Sequence, residues 1–331
     1  MMSAVWNRAM GVNMKPYLYF AGRQYSSKVE EHFDRKFTVK PKSEIRDIDI
    51  ETGRNFIKNA GKLMVITGAG VSTESGIIDS QTLEEKFCRL KLSKNSNANW
   101  ELYWAQSFFI WPLLQDVKPN RCHDILCKME QKNLIEWLFT KNVDSLHLKA
   151  GSKKITEMHG SVREVICSNC SETVCRETIQ ERMEKMNNTN DLQLDFIRTT
   201  QPPGSFAGLD VPYTKEQLEE IDRLQLPRCN KCGTDTVLKP NVILYIVDKD
   251  VRAKFKKTLE DVDSILVLGT ALKDNFVPEQ LEIASGKGKS VLIVNLGTVG
   301  KGPYRQSNWE DIGMKVIHAN CAEFLERCHC G

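Results

Sequence analysis

The sequence predicts an α/β fold, a doubly wound parallel sheet with a small module inserted into it. Three observations carry that expectation. Apolar runs of strand length recur at 63–67 (LMVIT), 135–140, 264–268 and 290–294, with a shorter one at 315–318. Amphipathic segments of helical length stand between or beside them, at 123–132, 249–260, 278–285 and 321–328. Continuous apolar strands alternating with such helices mean a sheet covered on both faces. Residues 160–240 break the alternation, and a C-x-x-C pair stands towards each end of that stretch.

The bulk numbers are those of a large domain plus a small module: 331 residues, 41% hydrophobic and 27% charged. No apolar run approaches the ~20 residues of a membrane-spanning helix, so no membrane partner is expected. The first 25 residues hold Arg8, Lys15 and Arg23 and no acid; Glu30 is the first acidic residue. A basic, acid-free segment mixed with aromatics is the composition of a mitochondrial transit peptide, although a tail with an accidental charge bias has the same look. Removing residues 1–25 takes three cations from a net charge of +3 and leaves 0. The slight basicity is then a sorting signal to the mitochondrial matrix, and no nucleic-acid partner is expected.

Residues 26–42 are polar and charged. A helix is expected over 43–60, with Ile45, Ile48, Phe56 and Ile57 apolar and Gly61 as its stop. The first strand, 63–67, runs directly into Gly68-Ala69-Gly70. A strand, Gly-x-Gly and a helix start can receive a diphosphate on backbone N–H groups. Gly76 comes six residues after Gly70, however, so the ordinary dinucleotide spacing is not met. By itself the turn reads rather as a plain strand-to-helix connection.

The strand at 135–140 is followed by TKNVDSLHLKAG and then by EMHGSVREVIC. Functional groups of parallel sheets gather after strand ends. Asn142 and Asp144 are therefore candidates to hold a carboxamide, and His159 is a candidate general base. An isolated histidine is more commonly a satisfied loop residue, the reading given to His147. Gly160, next to His159, is expected to let a substrate approach closely.

CSNC (167–170) and CNKC (229–232) place Cys167, Cys170, Cys229 and Cys232 as two knuckles around one zinc ion. A closed four-thiolate site leaves no open position, so that zinc would be structural. Four unrelated reduced cysteines is the other reading. Cys175 is one thiol too many, and CHC at 328–330 reads as a free tail.

Taken together and in order, TGAGVSTESGI, TKNVDSLH with AGS, EMHG, the two C-x-x-C pairs, LKPNV, LVLGTAL and VNLG resemble the sirtuins, NAD-dependent protein deacylases. The resemblance runs from about Leu63 to Cys321. STESGI, KAGSKKITEMHG and the long insert look most like the mitochondrial class II branch. It implies a Rossmann-like NAD-binding domain in two parts, 43–158 and 241–331, with the zinc module over 159–240. It also implies cofactor contacts at Gly68, Ala69, Gly70, Ser72, Ser75, Gly76 and Asp79, and again at Lys141, Asn142, Val143 and Asp144. The adenosine side would involve Gly269, Thr270, Ala271, Asn295, Leu296, Gly297 and Cys321.

The activity implied is attack of an acyl-lysine oxygen on the ribose carbon bearing nicotinamide. His159 would then deprotonate a ribose hydroxyl, and nicotinamide, free lysine and acyl-ADP-ribose would be released. Lipoamidase or mono-ADP-ribosyl transfer are the variants of the nearest branch, and acylated mitochondrial enzymes are the implied partners.

The chain also departs from the family pattern. Gly-Ile-Pro-Asp, an aromatic and an arginine become Gly76-Ile77-Ile78-Asp79-Ser80-Gln81, which loses a rigid φ and a fixed cation. Lys141 replaces a glutamine. An ammonium ~4 Å from a developing positive charge, at an effective dielectric near 20, would oppose it by about 4 kcal/mol, or roughly a thousandfold in rate. Asn241 and Leu244-Tyr245-Ile246-Val247 replace the peptide-docking stretch, and Ala271 replaces a serine. The second expectation is therefore a weak or inactive sirtuin that binds NAD, ADP-ribose or a protein partner.

Overall fold

The computed structural model describes residues 45–77, 104, 107–108, 111, 114–187, 216, 219, 223–233, 236–242, 247–300 and 309–329. Residues 1–25, Ile78, Asp79, Ser80, Gln81 and Leu244-Tyr245-Ile246 lie outside them.

Six parallel strands make the main sheet: β1 (Leu63–Thr67), β2 (Ile135–Thr140), β3 (Ile155–Glu157), β7 (Ser264–Leu268), β8 (Ser290–Val294) and β9 (Lys315–Ile317). Their order is β3-β2-β1-β7-β8-β9. The chain therefore winds one way from β1 and later the other, which puts the switch point between β1 and β7.

β1 and β7 are buried at every residue, as a central strand covered on both faces must be. Side-chain alternation splits them between two cores. Leu63, Val65, Leu266 and Leu268 join one with Leu126 and Phe324. Met64, Ile66, Ile265 and Val267 join the other with Phe255 and Leu281.

Helices α1 (Asp47–Lys58), α2 (Arg121–Gln131) and α7 (Cys321–His329) cover the first face. α5 (Lys249–Asp261) and α6 (Phe276–Gly286) cover the second. α3 (Leu146–Lys149) is a single turn. α1 is shorter than the 43–60 expected, because Ile45 and Arg46 precede it in non-helical backbone. Short polar side chains fix the starts of three helices. Asn120 accepts from Cys122 N, Asp248 from Asp250 N and Asp274 from Val277 N. Cys328 is buried in α7 against Ile50 rather than lying in a free tail. Among the described residues no helix is long and apolar enough to cross a membrane.

A second, antiparallel sheet holds β5 (Thr173–Cys175), β4 (Gly160–Cys167) and β6 (Leu238–Val242) in that order. α4 (Arg176–Met186) packs on it, with Val165, Ile179, Met183 and Leu238 in a core of its own. β3 ends at Glu157 and β4 begins at Gly160, so two residues, Met158 and His159, join the two sheets.

Candidate functional site

The glycine turn after β1 sits at the switch point and is stitched to the turn after β7. Gly68 N donates to Leu268 O at 3.0 Å and Gly70 N to Gly269 O at 2.8 Å. Gly269 has φ 62°, and a Cβ there would lie 2.6 Å from Val71 N. A Cβ on Gly68 would lie 2.6 Å from Thr270 Cβ. These glycines are thus required by the close approach of two loops, a demand that spacing alone does not reveal. The expected helix start is instead two single 3₁₀ turns, Ala69–Val71 and Thr73–Ser75, parted at Ser72. So short a segment carries little macrodipole, and any anion met here would be received by individual N–H groups.

Ser72 is the centre of the site. Asn142 Nδ2 donates to Ser72 Oγ at 3.0 Å, and Ser72 Oγ donates to Asp144 Oδ2 at 2.7 Å. All three are buried. Asp144 Oδ1 accepts from Leu146 N at 2.9 Å, and Asn142 N donates to Thr140 Oγ1 at 3.1 Å. Burial raises the Asp144 carboxyl above its ordinary range, against the hydrogen bonds from Leu146 and Ser72 and the charge of Arg163. Asn142 keeps its amide oxygen, and Asp144 remains an acceptor held in one orientation. This is the donor and acceptor set a carboxamide needs.

The loop after β2 is laced to the junction that carries His159. Val162 N donates to Val143 O at 3.0 Å, and Ser145 Oγ donates to Glu157 Oε1 at 2.7 Å. Ser145 adopts φ 57° to do so and also meets Ser161 Oγ. Glu157 is pushed up to about 7, chiefly by burial. His159 is 9% exposed. Gly160 has φ 78°, and a Cβ there would meet Asn241 O of β6 at 2.0 Å. Its smallness therefore serves the β4–β6 crossing, which corrects the expectation of substrate approach.

Lys141 is not the lone cation the sequence suggests. Its Nζ donates to Asp274 Oδ2 at 2.6 Å and reaches Thr270 Oγ1 at 3.4 Å. Burial pushes the Asp274 carboxyl up, but Lys141, by charge and hydrogen bond, holds it below its usual range. The thousandfold penalty argued for an unpaired ammonium therefore does not apply.

In the small module the Sγ atoms of Cys167, Cys170, Cys229 and Cys232 lie within 4.8 Å of one another. Two of the separations are 3.8 Å (Cys167–Cys232) and 3.7 Å (Cys170–Cys229). Four sulfurs ~2.3 Å from a tetrahedral zinc stand about 3.8 Å apart, so the set fits one structural ion. Asn169 N and Nδ2 donate to Cys167 and Cys232 sulfur, as partners of zinc thiolates do. Cys175 is outside this group and hydrogen-bonds Glu177.

The Sir2 family profile matches residues 68–275 of this chain, spanning the turn, the Ser72 cluster, His159, the thiolate knuckles and Asp274. The chain belongs to the Sir2 family. A bovine relative named NAD-dependent protein lipoamidase sirtuin-4, mitochondrial, is 32% identical over 82% of this chain and 83% of its own length. The Caenorhabditis elegans NAD-dependent protein deacylase sir-2.2 is 33% identical over 73% and 85%. Among solved structures, a Sir2 protein with a p53 peptide and NAD+ aligns with TM-score 0.57 at 25% identity, covering 84% of this chain and 96% of that one. A Sir2 protein with a propionylated peptide aligns with TM-score 0.60 at 24% identity over the same shares.

In this sirtuin the adenosine-side candidates lie along the ends of β7 and β8. Thr270 and Asn295 are buried, and Leu296 is exposed. Ala271 O accepts from Gly300 N at 2.9 Å, and Asn295 Nδ2 donates to Gly297 O at 3.0 Å. Cys321 lies under β8, its thiol donating to Val294 O at 3.5 Å and pushed up to about 12 by burial. Sequence reasoning missed Asn120, whose Nδ2 holds Ser75 Oγ at 3.0 Å and Val71 O at 2.8 Å. It also missed Asp274, 133 residues from Lys141, and His123, whose ring lies 4.6 Å from that of His147. Asn120 does carry a local signal, as an N-cap residue just before a helix.

Proposed function

We propose that this sirtuin is an NAD-dependent protein-lysine deacylase of the mitochondrial matrix, with lipoyl-lysine among its substrates. The observation that carries the reading is the buried Asn142–Ser72–Asp144 chain at the switch point, bonded through Val143 and Ser145 to the junction that bears His159. When bound there, NAD supplies the ribose carbon to which an acyl oxygen adds as nicotinamide leaves. The turn at Gly68, Ala69 and Gly70 receives the diphosphate. Asn142 and Asp144 orient the carboxamide, the acid accepting from its NH2. His159 takes a ribose hydroxyl proton on an imidazole nitrogen, which lets the acyl group migrate off the lysine. A water molecule then adds to the acyl carbon as the C–N bond to lysine breaks, so that O-acyl-ADP-ribose, nicotinamide and free lysine result. The same cleavage with a protein nucleophile in place of the acyl oxygen is mono-ADP-ribosyl transfer. The names of the bovine and nematode relatives support lipoamidase and deacylase chemistry.

Residues 1–25 act in this reading as the transit peptide, and the two parts of the NAD domain flank the zinc module at 159–240. Edman sequencing of the protein recovered from mitochondria checks this; a mature N-terminus near Tyr25 or Ser26 is the expected result.

A second reading, an NAD- or ADP-ribose-binding protein with little turnover, is favoured by Asn241. Its amide is taken up by Glu164 Oε2 at 2.8 Å on the strand where substrate peptides would dock. Nicotinamide release measured with acetyl- and lipoyl-lysine peptides separates the two. Release that requires peptide and falls at least about a hundredfold in His159→Ala supports the enzyme. Binding of NAD without release supports the second reading.

A further inference from the structure

Lys141 and Asp274 belong to loops that leave opposite neighbours of β1. Lys141 follows β2 and Asp274 lies in the loop after β7, with β1 between those strands. Lys141 N donates to Thr67 O, the last carbonyl of β1, at 2.9 Å. Its Nζ meets Asp274 Oδ2 at 2.6 Å and Thr270 Oγ1 at 3.4 Å, and Thr270 is the residue that crowds Gly68. The ion pair therefore crosses the carboxyl edge over the end of β1, beside the glycine turn. Asp274 is fixed from its other side, because its Oδ1 accepts from Val277 N at 2.9 Å at the start of α6. The side chains are 18% and 30% exposed, so the pair is partly shielded from solvent.

We propose that Asp274 is a positioning residue acting through Lys141: it turns the ammonium across the sheet edge and cancels its charge, so that the nucleotide site is neutral where the family's glutamine would make it so. This rests on the reading of that edge as the NAD site. The electrostatics give the pair a signature that a structural brace lacks. A bare ammonium there attracts a diphosphate and opposes positive charge at the ribose carbon. A bare carboxylate does the reverse. Ground-state affinity and turnover thus move in opposite directions for each single variant, and the double variant cancels both.

The test is a double-mutant cycle with Asp274→Asn, Lys141→Gln and the pair combined, with Asp274→Glu as the charge-keeping control. Asparagine retains an acceptor for Val277 N, so α6 keeps its cap. Binding of ADP-ribose is measured by calorimetry at low and high salt, and nicotinamide release is measured separately.

Asp274→Asn should bind ADP-ribose about fivefold more tightly at low salt, lose that gain at high salt, and show kcat lower by about tenfold. Lys141→Gln should bind about fivefold more weakly and turn over faster. The double variant and Asp274→Glu should return to within about twofold of wild type. Additive effects in the double variant, salt-insensitive affinities, or no ADP-ribose binding by wild type would overturn the proposal. A coupled binding cycle without any nicotinamide release would uphold the charge cancellation and sink the deacylase reading. Release by wild type without coupling would do the opposite.

Discussion

At the scale of single residues, the most exposed weakness is the Ser72 hydroxyl. It is acceptor for Asn142 and donor to Asp144 in a buried place. Ser72→Ala leaves an amide and a carboxyl without their shared partner, a loss of about 1–3 kcal/mol. In the proposed site the freed side chains would also misplace the carboxamide, so kcat/KM for nicotinamide release should drop roughly a hundredfold. Chemical denaturation and steady-state kinetics measure the two losses. Gly269→Ala fails for another reason: φ 62° and a Cβ 2.6 Å from Val71 N force the two loops apart. About 1–3 kcal/mol of stability should be lost, with nucleotide affinity.

Sequence alone brought attention to Asn142 and Asp144, because they stand just after an apolar strand, and to Ser72 only through the family resemblance. It could not show that Ser72 joins the other two. Nor could it pair Lys141 with Asp274, since Coulomb partners 133 residues apart leave no local pattern.

At the scale of elements, α2 and α3 press His123 and His147 together behind β1. His147 Nε2 meets Thr67 Oγ1 at 2.9 Å, and Asn120 N donates to His123 Nδ1 at 3.3 Å. His123 Nε2 and His147 Nδ1 are buried and have no partner among the described residues. Burial lowers His123 to about 4 and His147 well below its usual value. The folded state thus resists protonation that the unfolded chain accepts from about pH 6.5 downward. Stability from the neutral rings is complete above pH 6.5 and fades as the pH falls toward about 4, by about 3 kcal/mol for His123. Glu157, raised to about 7, acts oppositely, costing stability as the pH climbs from 4.5 through 7. Melting curves from pH 4 to 8 should have a shallower acid slope in His123→Asn, with His147 keeping the remainder, and a shallower alkaline slope in Glu157→Gln.

Four strands were legible as largely apolar runs: β1, β2, β7 and β8 coincide with 63–67, 135–140, 264–268 and 290–294, whereas β4, the longest, was not, because Arg163 and Glu164 interrupt it. β3 and β5 were not, since three residues are too few to show a period. β6 was hidden by Pro240 and by its polar neighbours.

At the scale of the whole molecule, two kinds of core share one chain. The main sheet is held by apolar burial on both faces, while the small sheet closes over a few residues and a thiolate cluster. Stripping metal with a strong chelator should therefore unfold the module and leave most far-UV helical signal, and Cys229→Ser should do the same. Nicotinamide release should vanish in both cases although the four thiolates take no part in the chemistry.

The reason lies in the two-residue splice between the sheets. The imidazole of residue 159 belongs to neither lobe: one side of its backbone is moored in the parallel ladder and the other in the antiparallel one. Any swivel of the lesser lobe drags with it the imidazole proposed as proton acceptor. A sulfhydryl oxidant acting at the far knuckles would silence the reaction from a distance, leaving the grip on the nucleotide intact.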